Sequence, residues 1–218
     1  MKYTIGIDIG GTNTEIGLVD ENGHVVAYKN LSTRAYPVFD MFVDTLSDEI
    51  KTIINANKDK ECLGIGIGAP NANYYNGMIQ EAVNLLWRGD LPLKKEVEKR
   101  TGLSTYVTND ANAAAIGEKL FGAAQGMRDF AVITLGTGVG SGIVVNDEMV
   151  YGHDGFAGEL GHIIIEENGR LCNCGRYGCL ETYASVTGLV NTARQMAENY
   201  TGNSTLKAVG KENITGKM

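Results

Sequence analysis

One module is written twice along this chain. Tyr3 to Ile9 is rich in β-branched side chains and stops at Gly10-Gly11; Thr14 to Val19 and His24 to Asn30 follow as two more short runs, parted by Glu21-Asn22-Gly23. Such runs bounded by turn residues predict a meander of three strands. The order returns later: Phe130 to Leu135, the glycine turn Gly136-Thr137-Gly138, a second strand Gly142 to Val145, and Asn146-Asp147-Glu148 turning into Met149-Val150-Tyr151. Laying Gly10 over Gly136 aligns the two modules with one residue of slippage. An internal duplication is a signal about the whole fold, because related halves must each bury the same supersecondary unit.

Between the modules, the apolar residues Val38, Phe39, Phe42, Val43, Leu46, Ile50, Ile53 and Ile54 recur at helical spacing behind Pro37, which predicts an amphipathic helix ending before Asn55 to Lys60. Cys62 to Gly68 reads as a buried strand that stops at Ala69-Pro70 and a polar loop to Gly77. A helix from Pro92 to Arg100, a strand from Ser104 to Thr108 and a helix from Ala111 to Phe121 complete the alternation. Strands alternating with helices point to a layered α/β fold.

At 218 residues with 43% apolar side chains, the chain can bury a core in one large domain or two small ones. Its formal charge of -7 and the lack of any Lys/Arg run argue against a nucleic-acid face, which needs basic clusters to neutralise phosphates. No segment approaches the ~20 consecutive apolar residues of a membrane span, and MKYTIGIDIGGT lacks the apolar core and cleavage site of a signal peptide. The expectation is a cytoplasmic protein. Cys172, Cys174 and Cys179 crowd together while Cys62 stands alone, a clustering that fits metal ligation in a reducing compartment better than disulfides.

Asp8-Ile9-Gly10-Gly11-Thr12-Asn13-Thr14 ends a strand in a tight glycine turn. Glycines let backbone amides approach phosphate oxygens, a Thr hydroxyl adds a donor, and a carboxylate just upstream can hold the water shell of Mg²⁺. Alone, the element is equally a hairpin turn with no ligand, and so is Leu135-Gly136-Thr137-Gly138-Val139-Gly140-Ser141-Gly142. As a related pair they resemble the two phosphate turns with which the actin-like ATPase and sugar kinase superfamily clasps ATP across an interdomain cleft.

Asn109-Asp110-Ala111-Asn112-Ala113-Ala114-Ala115 places two polar side chains between an apolar strand and an Ala-rich helix. Asp110 is a good N-cap. Equally, a carboxylate at a strand end can accept a sugar hydroxyl proton during phosphoryl transfer. The sharpest local signal is His162 followed by Cys172, Cys174 and Cys179, with spacings of ten, two and five. One imidazole and three thiolates form a complete tetrahedral set for Zn²⁺, closed and therefore structural, and Gly175 and Gly178 permit the loop that brings Cys179 back. Glu159 precedes His162 by three and Glu181 follows Cys179 by two, so a metal knot would hold all three near one point.

Ala157-Gly158-Glu159-Leu160-Gly161-His162 and Cys172-Asn-Cys174-Gly-Arg-Tyr-Gly-Cys179-Leu-Glu181 resemble the signature of the ROK family of sugar kinases and sugar-responsive repressors. The resemblance runs from residue 4 to about residue 190. It implies a duplicated actin-like (ribonuclease H-like) α/β fold of two lobes around an interdomain cleft, with a lobe 1–110 and a second lobe 111–218. It implies ATP and Mg²⁺ at Asp8, Gly10, Gly11, Thr12, Asn13, Thr137, Gly138, Val139 and Gly140, and Asp110 as catalytic base. Gly68, Asn84, Asn109, Asp110, Glu159, His162 and Glu181 would bind the sugar, with structural Zn²⁺ on His162, Cys172, Cys174 and Cys179. Val83 stands where the family usually has proline, and Asn13 where many members have lysine.

The activity implied is phosphorylation of a hexose hydroxyl by ATP, glucose to glucose 6-phosphate, with N-acetylmannosamine, allose or fructose as alternative substrates and a homodimer or homotetramer as the assembly. A sugar-responsive repressor would carry a helix-turn-helix ahead of this domain, whereas strand one begins here at Tyr3; a sugar-binding protein without catalysis is the remaining alternative. Residues 198–218 are polar and offer only Leu206, Ala208, Val209 and Ile214 as scattered apolar groups. The expectation is a second lobe left incomplete, with exposed apolar surface and no wall for the adenine ring.

Overall fold

The computed structural model describes residues 2–58 and 61–216; Asp59 and Lys60, in the expected loop after the first helix, lie outside the described residues. Strands β1 (Lys2–Ile9), β2 (Asn13–Asp20) and β3 (Val25–Ser32) lead to α1 (Phe39–Ala56), then β4 (Glu61–Ala69), the two-residue strands β5 (Ile79–Gln80) and β6 (Asp90–Leu91), α2 (Leu93–Thr101), β7 (Thr105–Asn109) and α3 (Asp110–Phe121). There follow β8 (Phe130–Leu135), β9 (Val139–Val145), β10 (Glu148–Met149), α4 (Glu181–Ala184), α5 (Val186–Asn199) and α6 (Thr205–Val209). The fold is α/β with a mixed five-stranded sheet in the order β3-β2-β1-β4-β7, antiparallel from β3 to β1 and parallel from β1 to β7. β8, β9 and β10 form a three-stranded sheet.

The chain groups into two compact units, one of residues 1–132 and 142–157, the other of residues 133–141 and 158–218. The first owes its core to period-two burial meeting helical burial. Tyr3, Ile5, Ile7 and Ile9 of β1 and Ile16 and Leu18 of β2 share a core with Phe42, Val43, Leu46, Ile50 and Ile53 of α1. Each such side chain contributes about 1.5–3 kcal/mol on full burial. Trp87 closes this core: its ring lies 4.5 Å from that of Phe42, and its Nε1 donates to the Tyr36 carbonyl at 2.9 Å. Because alternate residues point to opposite faces, Asp8 stays exposed between buried Ile7 and Ile9.

Three expected elements differ. The first helix runs two residues further than its apolar stripe, to Ala56, since helix propagation after nucleation needs no core contact. The second strand of the repeated module begins at Val139, three residues before Gly142, so part of the glycine-rich run is extended strand. Its third strand shrinks to Glu148–Met149, Val150 and Tyr151 falling outside it.

In the second unit, Arg170 staples the segment before the cysteines to the helices after them. Its guanidinium stacks over Tyr183 at 4.7 Å, and its Nη1 donates to the carbonyls of Thr182 (2.8 Å) and Gly188 (3.1 Å). α5 starts with a capping serine, Ser185, whose hydroxyl accepts from Gly188 N–H at 3.0 Å. Within this unit Ile163, Ile164, Ile165, Leu171, Tyr177, Leu189 and Met196 are exposed. Ile214 departs from the expectation of a tail without core residues: its side chain is buried, and its carbonyl accepts from Arg194 Nη2 at 2.9 Å. No helix among the described residues is long and apolar enough to cross a membrane.

Candidate functional site

In the first unit, four chain segments meet at the carboxyl end of β1. The turn after β1 is closed by Gly10 N–H donating to the Asn13 carbonyl at 2.9 Å. Gly11 lies against the backbone of Asn84, so that a Cβ at Gly11 would overlap the Asn84 carbonyl oxygen. A second expected sugar residue, Gly68 of β4, faces α3: a Cβ there would lie 3.4 Å from Asp110 Cα. Asp110 is the first residue of α3 and is exposed, its Oδ1 accepting from Ala111 N–H at 2.8 Å. Partial desolvation of the carboxyl group, then repulsion from Asp110 and Glu15, holds Asp8 above its usual range. A cluster of carboxylates that repel one another is relieved by a divalent cation, so Asp8 fits an Mg²⁺ shell chemically.

The expected cap of α3 needs correction. Asn109, not Asp110, is the N-cap, accepting from Ala111 N–H at 2.8 Å, because Asn109 is the residue still in extended backbone (φ -60°, ψ 145°). Its amide nitrogen therefore remains the group it can offer to a sugar, while the Asp110 carboxylate is not consumed as a cap.

The second unit repeats the arrangement with different parts. Gly136 N–H donates to the Gly138 carbonyl at 3.0 Å, closing the turn between β8 and β9, and a Cβ at Gly138 would lie 2.6 Å from Glu181 Oε2. Thr137 and Gly138 are thus turn residues, whereas Val139 and Gly140 belong to β9, with the Val139 side chain buried. Glu159 is exposed and stands at the N-cap position of a single 3₁₀ turn, Leu160–His162, without a capping bond from its side chain. The ligand atoms of His162, Cys172, Cys174 and Cys179 all lie within 4.8 Å of one another. Cys174 and Cys179 Sγ are 3.7 Å apart, and Cys172 Sγ is 3.6 Å from His162 Nδ1. Two thiolates on one tetrahedral zinc, at about 2.3 Å each, stand about 3.8 Å apart, so the donor set and its spacing fit Zn²⁺. Gly178, at φ +78°, brings Cys179 back by passing against the Glu166 carbonyl, where a side chain would not fit. Cys172 Sγ also donates to Glu181 Oε1 at 2.9 Å, and His162 Nδ1 lies 3.8 Å from the same oxygen.

The model of the ROK family matches residues 4–217, nearly the whole chain. The chain belongs to the ROK family. It is 42% identical over 198 residues to a glucokinase of Streptomyces coelicolor, covering 90% of this chain and 61% of that protein. It is 33% identical over 193 residues to the xylose repressor of Bacillus subtilis, covering 87% of this chain and 50% of the repressor. The structure of a ROK glucokinase from Streptomyces griseus, solved with glucose and AMPPNP, superposes with a TM-score of 0.80 at 38% identity, covering 99% of this chain and 69% of that one. This chain therefore spans less than two thirds of the Streptomyces coelicolor enzyme.

Two parts of this ROK chain's site left no mark on periodicity or motif. Arg88 donates through Nη1 to the carbonyls of Ala82 (2.8 Å) and Leu85 (3.0 Å), holding the turn that presents Asn84. Asn73 is buried and donates to Gln80 Oε1 (3.0 Å) and the Asp154 carbonyl (2.7 Å), tying together loops 81 positions apart. Arg88, and Asn73 in its bond to Asp154, act through backbone carbonyls, which carry no sequence signature.

Two expectations follow from the first unit. Gly11→Ala forces the Asn84 backbone to move, because the obstacle is a carbonyl and not a flexible side-chain end; hexose and nucleotide affinity, measured by calorimetry, should both fall about five- to 150-fold, as a displacement of about 1–3 kcal/mol implies. Asp8→Asn removes a carboxyl whose proton affinity the fold raises. The penalty for ionising it is absent below the ordinary carboxylate range and grows as pH rises through the raised folded value. Asp8→Asn should therefore raise the melting temperature at pH 7 and leave it unchanged near pH 3, while weakening Mg²⁺-nucleotide binding. An equal shift at both pH values would show that repulsion is not the cause.

Proposed function

We propose that this chain carries the sugar- and phosphate-binding machinery of an ATP-dependent hexose kinase acting in the cytoplasm, with glucose as its substrate. The observation that carries the reading is the convergence in the first unit, where a phosphate turn rests on the backbone of Asn84 while Asp8 feels the charge of Asp110. Its supports are the glucokinase relatives, 42% identical in one case, and the ROK signature around His162. The fold proposed is the duplicated actin-like one. Its first copy is the β3-β2-β1-β4-β7 sheet and its second is announced by β8–β10, and the lobe boundary after Asp110 belongs to that duplication.

In this reading Asp110 accepts the proton of the attacking hexose hydroxyl as the γ-phosphoryl group is transferred. The phosphate-binding groups proposed are backbone amides of Gly11–Asn13 in the first unit and of Thr137–Gly140 in the second, and Asp8 would hold the water shell of Mg²⁺; the hydroxyl-binding groups proposed are Gly68, Asn84 and Asn109 in the first unit and Glu159, His162 and Glu181 in the second. His162 keeps Nδ1 on the thiolate side, which leaves Nε2 as the nitrogen for the sugar in this reading. Zinc, when bound, supplies rigidity to the knot that presents Glu181.

The test is ADP release across a panel of glucose, N-acetylmannosamine, allose and fructose, with glucose expected to give the highest kcat/KM. Likeness to a xylose repressor favours a second reading, a regulatory sugar-binding protein. Tight sugar binding with no ADP released on any hexose would establish it in place of the kinase.

A further inference from the structure

We infer that Arg34 is the phosphate-binding cation of the first glycine turn, contacting the nucleotide's polyphosphate directly; the inference rests on the kinase reading. The turn itself, Gly10-Gly11-Thr12-Asn13, contains no cationic side chain, and the carboxylates around it, Asp8, Glu15 and Asp110, are mutually repulsive. A triphosphate brought here meets amide dipoles and more negative charge. Arg34 supplies the missing positive group from a segment that the sequence motifs do not include.

Three ties build that segment onto the turn. Thr33 N–H donates to the Thr12 carbonyl at 2.9 Å, the Thr33 and Thr14 hydroxyls share a buried hydrogen bond of 2.8 Å, and Arg34 Nε donates to the Gly11 carbonyl at 3.4 Å. Thr33 is buried and Arg34, the next residue, is exposed, so the backbone is anchored while the guanidinium stands at the surface of the turn. A guanidinium has five N–H donors in a fixed fork. Only the Nε donor is used: among the described residues no carboxylate pairs with Arg34 and neither Nη donates to a partner. Two amino groups of a permanent cation, with one edge held on a glycine turn's carbonyl, have the geometry of a bidentate phosphate contact.

The experiment compares the parent chain with Arg34→Gln and Arg34→Lys. Binding of Mg²⁺-ATP and of inorganic tripolyphosphate is measured by calorimetry, hexose binding is measured separately, and melting temperature is followed. The result expected is a loss of about tenfold or more in both ATP and tripolyphosphate affinity for Arg34→Gln, from one charge-assisted contact, with partial recovery in Arg34→Lys and less dependence on salt. Hexose affinity and melting temperature should not move, as they would if Arg34 merely shaped the turn. Unchanged ATP affinity in Arg34→Gln, or a loss shared equally with hexose binding, overturns the assignment while leaving the kinase reading in place. A parent chain that binds hexose but neither ATP nor tripolyphosphate overturns both.

Discussion

Asp110→Asn should cut hexose phosphorylation about 10²–10⁴-fold, the range that a positioned general base contributes, while hexose and ATP still bind. The substitution keeps the shape of the side chain and its acceptor oxygen for Ala111 N–H, so α3 should start where it does now. The cap is untouched, because Asn109 supplies it. What disappears is the ability to take a proton from the sugar hydroxyl. Steady-state kinetics should therefore show the loss in kcat, with KM for both substrates within a few-fold of the parent, since only a transition-state interaction has been removed. Some turnover should survive, because positioning and charge neutralisation supply most of phosphoryl-transfer catalysis. A loss confined to hexose KM would reassign Asp110 to binding.

Cys179→Ser should abolish zinc binding, which elemental analysis of the folded, reduced parent should place at about one ion per chain. Cys179 is fully buried, so the hydroxyl replaces a thiolate where no water can make up the missing ligand. Structural zinc is worth about 10–16 kcal/mol in small peptides, a scale that exceeds the stability of most domains. Loss of the ion should loosen the loop from Cys172 to Cys179, and with it the start of α4 where Glu181 sits, so hexose affinity should fall as zinc does. Zinc uptake should also weaken in acid. Burial pushes the Cys172 thiol up; at Cys174 burial acts in the same sense but is outweighed by hydrogen bonds from Arg176 and the neighbouring cysteines, which bring that thiol down to about 6. Binding must therefore release a proton from Cys172 at neutral pH, and the competition for it grows as pH falls. Loss of zinc with sugar affinity unchanged in Cys179→Ser would disprove the coupling.

The repeated module, the α1 stripe and the His/Cys spacing were legible before any coordinates, because each is a statement about local period or ligand chemistry. Ile5, Ile7 and Ile9 alternate and are buried together; Phe42, Leu46 and Ile50 recur by four and share one helix face; His162, Cys172, Cys174 and Cys179 are a donor set that few other roles require. Local period also failed where packing competes with it. The glycine-rich run after Gly138 is strand from Val139, since pairing with a neighbour overrides a loop-like composition, and the last strand of that module keeps only two residues.

By itself the sequence determined the class of fold, the donor atoms for a metal and the residue types available to a phosphate and a sugar, since those follow from side-chain period and chemistry. The tertiary structure alone decided which residues touch. It set Gly11 on the Asn84 carbonyl and Gly138 on the Glu181 carboxylate, gave the α3 cap to Asn109 and left Asp110 free of that duty, and brought Arg34 onto the first glycine turn. The contacts of Gly11 with Asn84 and of Arg34 with Gly11 pass through backbone carbonyls and join segments far apart in the chain. A carbonyl is the same in every residue, so its partner is chosen by where the packed core places it and not by any letter in the sequence.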